Sequence, residues 1–316
     1  MSSEEPSTVR VKARPVLSEM PSNIKEMIAE NTVINTRFTL RKVSTHFRAA
    51  VDFSKLSFED VEIRSCELYV LLILNGMRIV YIPYGRGVDI LRGSLSVTLI
   101  GEDFVKKALD DFEIIMKSPK IHVKHLKLSI SRDEEIAPRV KNRIREIFHS
   151  FSHKLSIGEL TVETSSDQNL IVELLRDLKP RILKSLRAGN VEGSCAGIVD
   201  TEHWPFLEEA VLGDVGGVPI SKFLHLRRFQ ARDLTMTREV VEEIVQAFLQ
   251  HPNNHECYKF STGDGNLFPV WEEAMSDYSP ARPIIPIPGT DYQLKIKSGE
   301  FHRFMVLFER IGGPVQ

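Results

Sequence analysis

Three groups of residues in this chain have types and spacings that chemistry can use. Ser194 and Cys195 stand together between Gly193 and Gly197, as an accessible nucleophile would. His149 and His153 are four apart, enough to share one face of a helix, and His251, His255 and Cys257 cluster where metal ligands could. His122 and His125 are three apart on a predicted strand, a spacing that sends two side chains to opposite faces.

None of these groups is complete. No base can be assigned to Ser194 or Cys195, so this stretch reads as a loop. No cysteine or acid has ligand spacing beside His149 and His153. His251, His255 and Cys257 sit at a loop-to-strand transition and read as surface residues. The chain has no G-x-x-x-x-G-K-[ST] loop, no G-x-G-x-x-G opening a helix after a strand and no G-x-S-x-G elbow. Gly213, Gly216 and Gly217 read as turn residues. The expectation is a protein that is not an enzyme and holds no metal and no cofactor.

Composition narrows the classes further. The 316 residues are 42% hydrophobic and 27% charged with a formal net charge of −2, as in an ordinary globular protein. No global field draws the chain to nucleic acid or to an anionic membrane. Residues 1–13 are polar, lack the apolar stretch of a signal peptide and read as a disordered tail. The longest apolar run, residues 68–74, is far too short to span a bilayer. Cys66, Cys195 and Cys257 are scattered, which suits a reducing compartment. The expected location is intracellular, cytoplasmic or nuclear or both.

The elements around these residues follow from periodicity. Pro21 suits the first turn of a helix, where its missing N–H costs nothing. Ile24, Met27 and Ile28 give that helix an apolar face. A second helix carries Phe38, Leu40, Val43 and Phe47 inward and Arg37, Arg41, Lys42 and Arg48 outward. Two helices with a basic second one allow a helix–turn–helix reading. Glu19, Glu26 and Glu30 on the first helix, and a break without glycine, argue against nucleic acid. Residues 68–74 and 77–84 flank Asn75-Gly76, a strong hairpin signal because both turn positions need positive φ. A Gly-rich turn (Gly85, Gly87, Gly93) and a strand near 95–100 follow.

Beyond residue 100, helical stripes alternate with strands of the form apolar-x-x-apolar-x-apolar. The strand markers Leu126, Leu160, Leu186, Phe229 and Tyr258 are separated by 34, 26, 43 and 29 residues. Units of that length, each too small to bury its own strand and helix, predict an irregular leucine-rich-repeat-like α/β solenoid. A single α/β domain is the alternative. Pro280, Pro283, Pro286 and Pro288 predict an extended connector, and strands at 292–297 and 303–308 would cap the last repeat.

Residues 14–52 resemble an F-box, the helical segment that plugs a substrate receptor into a cullin–RING ubiquitin ligase. The family opens on a Leu-Pro pair, where Met20-Pro21 stands. Ile24, Met27 and Ile28 match its first apolar positions. The run Leu40-Arg41-Lys42-Val43-Ser44-Thr45-His46-Phe47-Arg48 fits its Leu-Arg-x-Val-Ser-x-x-Phe/Leu-Arg. The remainder resembles a nematode F-box subfamily with a strand hairpin and then an FTH domain. The matching features are the strand-Asn-Gly-strand block at 68–84 and the segments 119–130, 152–163, 174–186 and 223–237.

The resemblance implies a three-helix F-box (14–52), a β-hairpin connector (53–100), an FTH-like repeat domain (101–279) and a Pro-rich connector with a strand cap (280–316). It implies a substrate-recognition subunit of an SCF-type E3 ligase. A Skp-type adaptor would be contacted by Leu17, Met20, Pro21, Ile24, Ile28, Leu40, Val43 and Phe47. The repeat domain would bind an unidentified protein substrate, through residues that the resemblance does not name. Met20 in place of Leu, and Asn23 where an acid is frequent, leave an alternative open: a non-catalytic scaffold whose F-box has decayed.

Overall fold

The structure is a computed structural model that describes residues 20–30, 32, 36, 40, 45–53, 56–164, 168–189, 195–232, 234, 236–262, 284–300 and 304–312. It divides into two compact units, residues 1–56 with 118–120, and residues 57–117 with 121–316.

Among the described residues the first unit contains α1 (Ser22–Glu30) and α2 (Thr45–Phe53), which pack on each other. The Pro21 carbonyl accepts from the amides of Ile24 and Lys25, both at 3.1 Å, and so starts α1. The buried positions of α1 are Lys25 and Ala29. Ile24 and Ile28 are only half-buried, and Met27 is 51% exposed. The apolar stripe read from the sequence is therefore not the side this helix buries. Most of the expected second helix, including Phe38 and the basic Arg37, Arg41 and Lys42, lies outside the described residues.

The second unit is built on one mixed sheet. Its strands are β1 (Ser57–Ser65), β2 (Val70–Leu74), β3 (Met77–Tyr84), β4 (Gly87–Arg92), β5 (Leu95–Ile100), β6 (His122–Ser129), β7 (Ser156–Glu163), β8 (Ser185–Ala188), β9 (Glu209–Asp214), β10 (Arg228–Arg232), β11 (Cys257–Thr262), β12 (Ile284–Pro286), β13 (Tyr292–Glu300) and β14 (Phe304–Gly312). The spatial order is β12-β13-β14-β11-β10-β9-β8-β7-β6-β1-β2-β3-β4-β5. The seven strands from β1 through β6–β11 pair in parallel, and antiparallel strands extend both sides.

This overturns the expectation of a three-helix F-box, a hairpin connector, a solenoid and a separate cap. The hairpin is not a connector, because β1 pairs antiparallel with β2 and parallel with β6, so its ladder runs straight into the repeat strands. The last strands do not close off a stack of repeats. They lengthen the same sheet, with Tyr258 of β11 opposite Phe308 of β14. The physical reason is continuity of hydrogen bonding: a strand with unpaired N–H and C=O groups accepts the next strand in plane. The Gly-rich turn is also corrected. Residues 87–92 form β4, with Gly85 (φ 55°) and Gly93 (φ 58°) in the turns on either side. A Cβ on Gly87 would meet the Leu99 carbonyl oxygen at 2.1 Å, so only glycine lets β4 and β5 approach there. Asn75 (φ 49°) and Gly76 (φ 81°) make the expected β2–β3 turn.

The parallel strands share a burial rhythm. In each, three positions are buried and the pair between the first two faces the other side, apart from the buried Ser185 of β8: Phe58-x-x-Val61-x-Ile63, Val123-x-x-Leu126-x-Leu128, Ile157-x-x-Leu160-x-Val162 and so on to His255-x-x-Tyr258-x-Phe260. The buried face meets α3 (Phe104–Met116), α4 (Ile136–Ser150), α5 (Gln168–Arg176), the short α6 (Ala196–Val199) and α7 (Arg238–Gln250). Each longer helix buries a stripe, such as Val105, Ala108, Leu109 and Phe112 of α3. Asp103 caps α3 by accepting from the Lys106 amide at 2.8 Å, and Thr237 caps α7 through the Val240 amide. Tyr81 of β3 donates to Asp111 of α3 at 2.8 Å. In the C-terminal half the core is aromatic: Phe223 stacks on Phe229 at 4.5 Å, and Phe229, Phe260 and Phe308 follow edge to face.

Candidate functional site

Several of the described residues that could have done chemistry are occupied otherwise. Cys195 is buried at the start of α6, its Sγ 3.8 Å from the Val215 carbonyl. Burial pushes its thiol up to about 12, which keeps it protonated at neutral pH. Ser194 lies outside the described residues. His149 pairs with Asp177 at 2.9 Å, and His153 stacks on Phe151. His255 is not the surface residue expected but part of the core. Its Nδ1 faces the Leu226 carbonyl at 3.2 Å, its ring packs on Phe248 and Tyr258, and burial holds its imidazole below the ordinary value. Burial also raises the Cys257 thiol. Among the described residues no three His, Cys, Asp or Glu side chains are placed to hold a metal ion.

His122 and His125 do not point to opposite faces. Buried Val123 and Leu126 bracket Lys124 and His125, so the strand places two successive side chains outward. His122 Nδ1 lies 2.9 Å from the Ser156 hydroxyl. His125 is held between strands, Nδ1 at 2.9 Å from Asp60 of β1 and Nε2 at 3.2 Å from Glu159 of β7.

His125 belongs to a larger arrangement on the open face of the sheet. The outward pair of each parallel strand carries one sign of charge, and the sign alternates across the sheet. Glu59-Asp60 on β1 is followed by Lys124-His125, Gly158-Glu159, Lys184 (its neighbour Ser185 is buried), Glu208-Glu209, Arg227-Arg228 and Glu256-Cys257. Ion pairs link the row. Lys124 meets Glu59 at 3.0 Å, Lys184 meets Glu208 at 3.0 Å, and Arg228 meets Glu209 and Glu256, both at 2.7 Å. Arg227 also pairs with Glu256. Burial alone would raise the Glu256 carboxyl, but Arg227 and Arg228 outweigh it and hold it below the usual glutamate range. Glu209 and Glu256 in turn raise Arg228.

The row was legible in principle. Its signal is the charge at the two x positions of each repeat, compared across strands rather than along the chain. A shallow groove of about 490 Å³ crosses the row, lined by Asp60, Ile73, His125, Glu159 and Arg187 among others. Because the row's carboxylates are at least as many as its cations, the face has no positive excess with which to draw a polyanion. It offers a polar, mixed-charge wall of the kind that side chains of another protein can match.

Of the eight residues expected to meet an adaptor, six are described, all in the first unit. Pro21 is exposed, Met20, Ile24, Ile28 and Leu40 are half-buried, and Phe47 of α2 is buried. Leu17 and Val43 lie outside the described residues. Among the described residues no helix is long and apolar enough to cross a membrane.

Residues 138–267 match the family model of the FTH domain, an F-box-associated family. No curated protein matches the chain. A solved structure, a protein in the NADB-Rossmann superfamily from Streptococcus agalactiae, is similar at 9% identity and a TM-score of 0.19, covering 54% of this chain and 68% of that one.

Proposed function

We propose that this chain is the substrate-recognition subunit of an SCF-type cullin–RING ubiquitin ligase. Residues 14–52 act as an F-box-like segment that docks a Skp-type adaptor, and the sheet unit binds a protein substrate. The observation that carries the reading is the FTH match at residues 138–267, downstream of a helical pair that leaves Met20, Pro21, Ile24, Met27 and Ile28 partly or largely accessible. Apolar side chains on one side of a short helix gain from burial against a partner. The chain then performs no bond-making step. It raises the effective concentration of a substrate lysine near the ubiquitin-charged carrier.

The experiment is co-purification of the full chain with a Skp-type adaptor, wild type against the Pro21→Ala/Ile24→Asp double variant. The reading expects the adaptor with the wild type and its loss from the folded variant. Deleting residues 14–52 separates the scaffold alternative. For a receptor, a partner captured by the rest of the chain becomes longer-lived after the deletion. For a scaffold its lifetime does not change.

A further inference from the structure

The two edges of the sheet are unlike. Among the described residues the outer strands are β12 and β5. β12 has three residues and ends on Pro286, which cannot donate to a further strand, so that edge is short and blunted. β5 is twice as long and reads Leu95-Ser96-Val97-Thr98-Leu99-Ile100, without a charge or a proline. Leu95 is 66%, Val97 54% and Ile100 79% exposed. Edge strands that stay unpaired usually carry a lysine, a proline or a bulge, because their free N–H and C=O groups are a template for another strand. β5 carries none of these.

We propose that β5 is a self-association edge: two copies of this chain pair β5 to β5, antiparallel, about a two-fold axis at Val97. Gly101 N–H donates to the Arg86 carbonyl at 2.8 Å, which makes those two residues a hydrogen-bonded pair of the β4–β5 ladder. Alternation then turns the backbone groups of Leu95, Val97 and Leu99 toward β4 and those of Ser96, Thr98 and Ile100 outward. Setting Ser96 opposite Thr98 of a second copy uses those outward groups. The same register places Val97 opposite Val97 and Leu95 opposite Leu99, so one apolar row matches itself.

The test is the mass of the full chain by analytical ultracentrifugation, together with two kinds of variant. The wild type is expected at twice the monomer mass. Val97→Lys adds the residue that edge strands ordinarily use and sets two ammonium groups opposite each other. It is expected to weaken the dimer by about tenfold or more with an unchanged circular dichroism spectrum. Val97→Cys is expected to form a disulfide-linked dimer on mild oxidation, and Leu95→Cys, which lies four positions from its own counterpart in this register, is expected not to. A monomeric wild type, a Val97→Lys chain that stays fully dimeric, or Leu95→Cys linking as readily as Val97→Cys would each overturn the proposal. So would a monomer whose β5 amides become protected from hydrogen exchange only when the adaptor is added, which would give the edge another occupant.

Discussion

The guanidinium of Arg228 on β10 lies 2.7 Å from the carboxylate of Glu209 on the neighbouring strand β9. On its other side it meets Glu256 at the same distance. This contact is one step in a row of outward pairs whose sign alternates from β1 to β11. An isolated ion pair on a surface is worth little, about 0.2–1 kcal/mol. The row matters for order: a strand inserted one place out of sequence would set like charges opposite each other.

Reversing one member of the row therefore costs more than deleting it. Arg228→Glu places three carboxylates side by side, with Glu209 and Glu256. The expected loss is about 1 kcal/mol of unfolding free energy at low salt, measured by urea denaturation, and salt should recover much of it. Arg228→Gln should cost less. Equal losses for the two variants would mean that the sign of the charge is immaterial.

The hairpin turn supports β1 directly. Asn75 Oδ1 accepts from the amides of Glu59 and Asp60 at 2.9 and 3.1 Å, at the point where β1 places two residues outward. Asn75→Gly keeps the positive φ but removes the acceptor, and is expected to cost about 1 kcal/mol. Asn75→Ala loses the acceptor and strains the turn, so it should cost more. Thermal denaturation of the two variants orders them.

Acid should weaken the C-terminal core. Burial holds His255 below its ordinary value of 6.5, so the folded state binds fewer protons there than the unfolded chain. Its contribution is fully present above 6.5 and is lost as pH falls toward the folded value. Urea midpoints between neutral pH and about pH 5 should fall for the wild type and fall less steeply for His255→Asn. Parallel slopes would remove His255 from the cause.

Cys195 should resist alkylation. Its thiol is buried and raised to about 12, whereas Cys66 is half-buried. Iodoacetamide mapped by mass spectrometry is expected to modify Cys66 about tenfold faster or more. Preferential labelling of Cys195 would reopen a nucleophilic reading of the loop around it.

Much of the sheet unit was legible because its local rules are strict. The apolar-x-x-apolar-x-apolar rhythm marked β6, β7, β8, β10 and β11, and Asn75-Gly76 marked the β2–β3 hairpin. Two things were not legible along the chain. The first is that β2 to β5 and β13 to β14 join the parallel strands, since the pairing of Tyr258 with Phe308 leaves no periodic trace. The second is that α1 buries Lys25 and Ala29, because burial in a short helix is set by what packs on it rather than by its own stripe. The alternating charges were present in every repeat but appear only when Glu59, Lys124, Glu159 and Lys184 are read across strands.

The central claim is tested most directly by the affinity of the full chain for a Skp-type adaptor, measured by titration calorimetry with wild type and Ile24→Asp. Ile24 is half-buried, so the substitution can be made without emptying a core. The account predicts saturable binding by the wild type and a loss of about 2 kcal/mol or more in the variant, as for an apolar anchor at an interface. A wild-type chain that shows no binding, or a folded variant that binds equally well, would contradict it.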